Sequence, residues 1–178
     1  MAGIFGALGL IGVAATFYLT LQSNRIARDT AKRQLRAYVS FESGAISNVA
    51  SGAHVTFHFE FRNSGQTPCK ILASATGIGF EPLPIIAVPQ LAPELTTGSG
   101  TEGPSCRWPH SIATRRAVTL AEFQAYQAGS HGFVGSCEIR YEDIFGAKQK
   151  TLVTVYRTSL SELPPPQVSV LHLGNEAT

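Results

Sequence analysis

Three side chains in one stretch of this sequence, His54, His58 and Glu60, are of the types that hold metal ions or move protons. Their spacing decides whether they can act together. In the run from His54 to Arg62, Val55, Phe57, Phe59 and Phe61 alternate with His54, Thr56, His58, Glu60 and Arg62, which is the period of a half-buried strand. Residues four apart on a strand are about 13 Å apart at ~3.3 Å per residue. A zinc ion with bonds of about 2 Å cannot join His54 to His58 across that gap. His58 and Glu60 would need a ligand from another strand, so the expectation is a solvent-facing polar stripe and no metal.

Nucleophiles fare no better. The sequence has no G-x-S-x-G turn to expose a serine. Cys69, Cys106 and Cys137 are odd in number and far apart, with no CxxC or zinc spacing, and read as reduced thiols. Cys137 falls on the inward side of a strand pattern and Cys69 at a strand start, where a thiol packs as a small apolar group. Cys106, beside Arg107 in a loop-like stretch, is expected to be the more reactive of the three, with no His or Asp tied to it. Gly77-Ile78-Gly79 lacks the third glycine and the strand–helix frame of a nucleotide loop. The expectation is a protein that is not an enzyme and carries no cofactor.

Charge narrows the partners. The net charge is +2, but it is unevenly placed. Arg25, Arg28, Lys32, Arg33 and Arg36 stand against Asp29 alone, and beyond Arg36 nine basic side chains face eleven acidic ones. A slightly acidic domain whose aromatics alternate inward is not a nucleic-acid surface. Arg107 and Trp108 are the candidate partner contact; the alternative for Trp108 is a ring that pins its loop to the domain.

The elements that must carry these residues begin with a membrane segment. Residues 1–22 carry no charged side chain, and Ala2 to Leu21 at about 1.5 Å per residue covers roughly 30 Å, the thickness of a bilayer's apolar core. A cleaved signal peptide would have a basic start, a shorter apolar run and a small-residue exit, none of which is present. A buried core helix is the other alternative, but it would rarely be the first 20 residues and apolar all round. Residues 23–36 form a basic helical connector without Gly or Pro, and its basic side chains are expected at the membrane surface. Lys and Arg beside a span favour the cytoplasmic side, so the N-terminus is expected outside and the domain in the cytoplasm. Gly3, Gly6, Gly9 and Gly12 recur every third residue and would let another helix pack closely, although none has the spacing of four of a GxxxG face.

From Ala37 the period is two. Strand patterns cover Tyr38–Phe41, Cys69–Phe80, Phe133–Tyr141 and Thr151–Arg157, and Val168–Leu173 is apolar enough to dock as a late strand. Asn63–Pro68 is dense in turn formers, and Glu142–Lys148 joins two strands as a hairpin. Thr119 and Glu122 fit a capping box for one short helix, about Leu120 to Ala128, with Gly129 as its stop. Residues 81–110 hold six prolines and read as a long loop, with a short edge strand over Pro84–Val88. The predicted fold is mainly β: an antiparallel immunoglobulin-like sandwich over residues 37–173 with one short helix, followed by a flexible tail at 174–178.

The order of an uncharged span, a basic connector, Leu35-Arg36-Ala37-Tyr38, Asn63-Ser64-Gly65-Gln66-Thr67-Pro68 and Tyr141-Glu142-Asp143-Ile144-Phe145-Gly146 resembles a loose group of uncharacterised bacterial single-pass membrane proteins. The group has an N-x-G-x-T-P-A turn and a Y-x-D-x-F-G hairpin; this chain departs from it at Ala37, where Pro is usual, and at Cys69, where Ala is usual. The resemblance implies the bacterial inner membrane and no activity. The expectation is a membrane-anchored binding or scaffolding module facing the cytoplasm, with the lipid bilayer and a membrane protein as partners. The alternative is an accessory subunit of a larger membrane complex.

Overall fold

The computed structural model describes residues 2–86, 89–91, 100–159 and 167–177, excluding the side chains of 2–11 and 172–177. It divides into two units, residues 1–36 and 37–178.

The first unit is one helix, α1 (Ala2–Leu35). Thr16 and Thr20 donate their hydroxyls to the carbonyls of Gly12 and Thr16, each at 2.8 Å, so these polar groups are satisfied within the helix. The expected span lies partly beyond the described side chains, and among the described residues no helix is long and apolar enough to cross a membrane. Gly3, Gly6 and Gly9 also fall outside the described side chains, whereas Gly12 has open space where a Cβ would stand.

The second unit is mainly β. Strands β1 (Val39–Ser47), β2 (Thr56–Asn63) and β5 (Arg107–Ala113) make one antiparallel sheet in the order β1-β2-β5. Strands β3 (Cys69–Pro82), β4 (Thr101–Glu102), β6 (His131–Asp143), β7 (Lys148–Arg157) and β8 (Ser169–Ala177) make a second, in the order β4-β3-β6-β7-β8. The alternation read from Val55 to Phe61 is the reason the sheets close on one another. Val55, Phe57, Phe59 and Phe61 are all buried, in one cluster with Phe133, Cys137, Ile139, Tyr141, Val153 and Val155 of the second sheet. Each such side chain stabilises the fold by about 1.5–3 kcal/mol relative to an exposed one. Phe57, Phe59, Phe61 and Trp108 stack in a row with centroids 6.1–6.3 Å apart. Gly135 leaves the room this row needs, since a Cβ there would lie 2.7 Å from the Phe57 ring.

Side chains close the strand ends. Asn63 is fully buried; its Nδ2 donates to the carbonyls of Thr67, Glu102 and Gly103, and its Oδ1 accepts from the N–H groups of Tyr38 and Gly65. Asp143 Oδ1 accepts from the N–H groups of Phe145 and Ala147, and Gly146 takes the positive φ (80°) that completes the hairpin turn. The turn and hairpin motifs of the sequence are therefore explained by structure alone. The short helix is α2 (Leu120–Gln127), with both halves of the Thr119–Glu122 capping box formed.

Three expectations change. The long loop ends earlier than His110, because Thr101–Glu102 and Arg107–Ala113 are strands. Pro109 lies inside β5 and is tolerated because β5 is the last strand of its sheet. The edge strand expected over Pro84–Val88 is absent from Pro84–Ile86, and Ala87 and Val88 lie outside the described residues. The tail is not loose from 174: β8 continues to Ala177, pairing with Gln149 of β7.

Candidate functional site

The two sheets meet differently along their two sides. On the β1 side, an Ala45–Gln167 bridge and Val168, packed against Gly44, close the seam, and Arg157 Nη1 donates to the Gln167 carbonyl at 2.7 Å. On the β3 and β5 side, a cleft of about 390 Å³ remains.

Apolar, polar and charged side chains line the cleft together. Ile78, Phe80 and Phe133 line it from the second sheet, and Ile112 and Val118 from β5 and the run that follows. Thr76, Thr114 and Gln90 add polar groups, and Arg115, Arg116 and Glu122 supply the charge. Part of the wall is bare backbone. A Cβ at Gly77 would lie 2.6 Å from the Gln90 carbonyl oxygen, and one at Gly79 would lie 3.1 Å from the Pro89 ring, so the glycines are there for a close approach of chain. Arg116 Nη1 donates to Glu122 Oε2 at 2.8 Å while Nη2 holds Oε1. These bonds hold the Glu122 carboxyl down to about 2, against the opposing effect of burial. Among the described residues the lining contains no Ser, Cys, His or Lys.

The outer face of the first sheet carries the other polar cluster. The register sets His58 opposite both Ala45 and Ser111. His58 Nε2 is 2.9 Å from Ser47 Oγ and Nδ1 is 2.8 Å from Ser111 Oγ. Glu60 accepts from Ser43 Oγ at 2.8 Å, and His54 Nδ1 donates to the Thr114 carbonyl. A serine hydroxyl on an imidazole is a nucleophile–base pair, here on an exposed sheet face. Among the described residues no group of three or more His, Cys, Asp or Glu could hold a metal ion.

The remaining candidates are placed as follows. Trp108 is half-buried and stacks on Phe61. Arg107 is exposed on the opposite face of β5 and pairs with Glu42, so the two neighbours do not form one contact patch. Arg25, Arg28, Lys32 and Arg33 are exposed on α1, and Arg36 follows its last residue half-exposed. Cys106 is the least buried of the three cysteines. Its thiol donates to Glu102 Oε2 at 3.2 Å, and this bond, more than burial or the carboxylate's charge, pushes its pKa up. Burial pushes Cys69 up to about 11 and Cys137 higher still. The residues missed in the sequence are Arg115 and Arg116. Their one signal was a pair of arginines just before the capping box, with Glu122 able to serve both the cap and a guanidinium.

No protein-family model, curated protein or solved structure matches this chain.

Proposed function

We propose that the chain is a membrane-anchored, non-enzymatic binding or scaffolding module at the cytoplasmic membrane surface, and that its two sheets form an immunoglobulin-like sandwich. The cleft between β3 and β5 carries the binding half of this reading: Ile78, Phe80, Phe133, Ile112 and Val118 line it beside Arg115, Arg116 and Glu122. The anchor rests on the uncharged N-terminal run and on Thr16 and Thr20, whose hydroxyls need no water. Arg25, Arg28, Lys32, Arg33 and Arg36 set the orientation and meet anionic headgroups at about 1 kcal/mol each.

The test is extraction and topology together. The chain should resist alkaline carbonate and dissolve only in detergent. With Cys106 changed to Ser, a Gln66→Cys thiol in the exposed turn should react with an impermeant reagent only after the inner membrane is broken. Reaction in cells opened only at the outer membrane would reverse the orientation, and release by carbonate would remove the anchor.

The second reading is an accessory subunit that docks by its helix. It is favoured by the open space at Gly12 and by the exposure of Val13, Phe17, Tyr18, Leu19 and Leu21 on α1. A stoichiometric companion after purification in mild detergent supports it, and a lone chain argues against it.

A further inference from the structure

We propose that the tip of the β6–β7 hairpin, Ile144 and Phe145, enters the interface of a lipid bilayer beside Tyr38, so that the β unit touches lipid by a contact of its own. The inference rests on the placement at a membrane proposed above, but not on the helix that holds the chain there. Ile144 is 58% exposed and Phe145, next to it in the turn, is 38% exposed. Tyr38 is 41% exposed. The turn over residues 64–68 joins Asn63, which stands opposite Val39, to Cys69, which stands opposite Asp143. Tyr38 and the hairpin tip therefore share one end of the β unit, and the chain enters the unit at that end, at Ala37.

The backbone of the tip meets its own hydrogen-bonding needs, which a medium poor in water demands. Asp143 Oδ1 accepts from the N–H groups of Phe145 and Ala147 at 2.8 and 2.9 Å. The Asp143 carbonyl accepts from the Gly146 N–H, and the Ala147 carbonyl from the Asp143 N–H, each at 3.0 Å. The carboxylate that shapes the turn is itself buried, so no exposed acid stands on the tip. Lys70, Glu142 and Lys148 form one cross-strand row at the base of the hairpin, with both lysines exposed and Glu142 half-buried between them. Their positive excess suits anionic headgroups, and their long stems keep the ammonium groups in water while the tip goes deeper. The neighbouring exposed residues at this end, Ser64, Gln66, Pro104 and Ser105, are uncharged. A protein is the competing occupant, but a stable protein contact covers about 800 Å² per partner, more than two side chains of a hairpin tip offer. A lipid interface rewards each inserted apolar side chain singly.

Bromine quenching of a single tryptophan in the full-length chain tests the proposal. Trp108→Phe removes the one native tryptophan and keeps a ring against Phe61. In that background Phe145→Trp reports the tip, Phe17→Trp reports α1, and Ser51→Trp reports the exposed β1–β2 loop at the far end of the β unit. Each chain is reconstituted in vesicles of phosphatidylcholine and phosphatidylglycerol, with or without bromine on the upper part of the acyl chains. Phe145→Trp should emit further to the blue than Ser51→Trp and lose fluorescence to the bromine, while Ser51→Trp should not. Adding Ile144→Glu to Phe145→Trp places a charge on the tip and should cancel most of that loss. The proposal is overturned if Phe145→Trp and Ser51→Trp respond alike, or if Ile144→Glu leaves the loss unchanged. Blue-shifted emission that bromine does not quench would put protein on the tip and overturn it too. Quenching of Phe17→Trp without quenching of Phe145→Trp leaves the anchor and removes the tip contact. The reverse removes the anchor and leaves the tip contact standing.

Discussion

Arg116 holds both carboxylate oxygens of Glu122, the residue that also caps α2 by accepting from the N–H and hydroxyl of Thr119. One carboxylate therefore ties the cleft rim to the start of the helix. Its pKa is depressed from 4.5 to about 2, so its contribution is fully present above pH 4.5 and is lost as pH falls through 2. The carboxyl signal of Glu122 should titrate near that lower value by NMR, with α2 resonances moving in step. In Arg116→Ala the midpoint should return toward the usual carboxylate range. An unchanged midpoint would show that the cap, not the arginine, sets it.

The bond from Cys106 to Glu102 makes a prediction about the reactivity of this thiol. Glu102→Gln removes the carboxylate that favours the protonated thiol, so alkylation of Cys106 at mildly alkaline pH should speed up. Cys69 and Cys137 are buried and should react only on unfolding. Slower labelling of Cys106 in the Gln variant would mean that access, not ionisation, limits it.

The strands that carried a clean period of two were legible, because burial of one face is a local rule. The phenylalanines of β2 and the inward row Phe133, Cys137, Ile139 and Tyr141 of β6 are examples. Strand β5 was not legible, since Pro109 inside it and Pro104 before it read as loop, and only a position at the sheet margin makes proline acceptable there. The cleft was hidden for a different reason. Ile78 and Ile112 are far apart in the chain and become neighbours only through the stacking of two sheets, which no local pattern records.

Asn63 should be among the least replaceable polar residues. Asn63→Ala leaves the carbonyls of Thr67, Glu102 and Gly103 and the N–H groups of Tyr38 and Gly65 without their partner. The expected loss is about 2–4 kcal/mol in urea unfolding. Asn63→Asp should be no better, because an acceptor would then face three carbonyl oxygens. A loss within about 0.5 kcal/mol, the range of an ordinary surface change, would show that water replaces the side chain.

Gly135 and Phe57 form a testable pair. Gly135→Ala drives a methyl into the ring and should cost about 1–3 kcal/mol as overpacking. Phe57→Leu alone should also destabilise, by leaving space. Combined, the two should lose less than the sum of the single losses, since the smaller side chain admits the methyl. Strict additivity in a double-mutant cycle would mean that the strain is relieved elsewhere.

Pro109 has a consequence for how copies of the chain meet. A sheet that ends in a bare strand invites another chain to continue its ladder. Midway along β5 the proline has no N–H to give, and the Arg107 charge sits two residues away. A stranger's strand would find its hydrogen-bond sequence interrupted where it should be strongest. The residue that obscured this strand in the sequence thus also guards the molecule against sticking to its own kind.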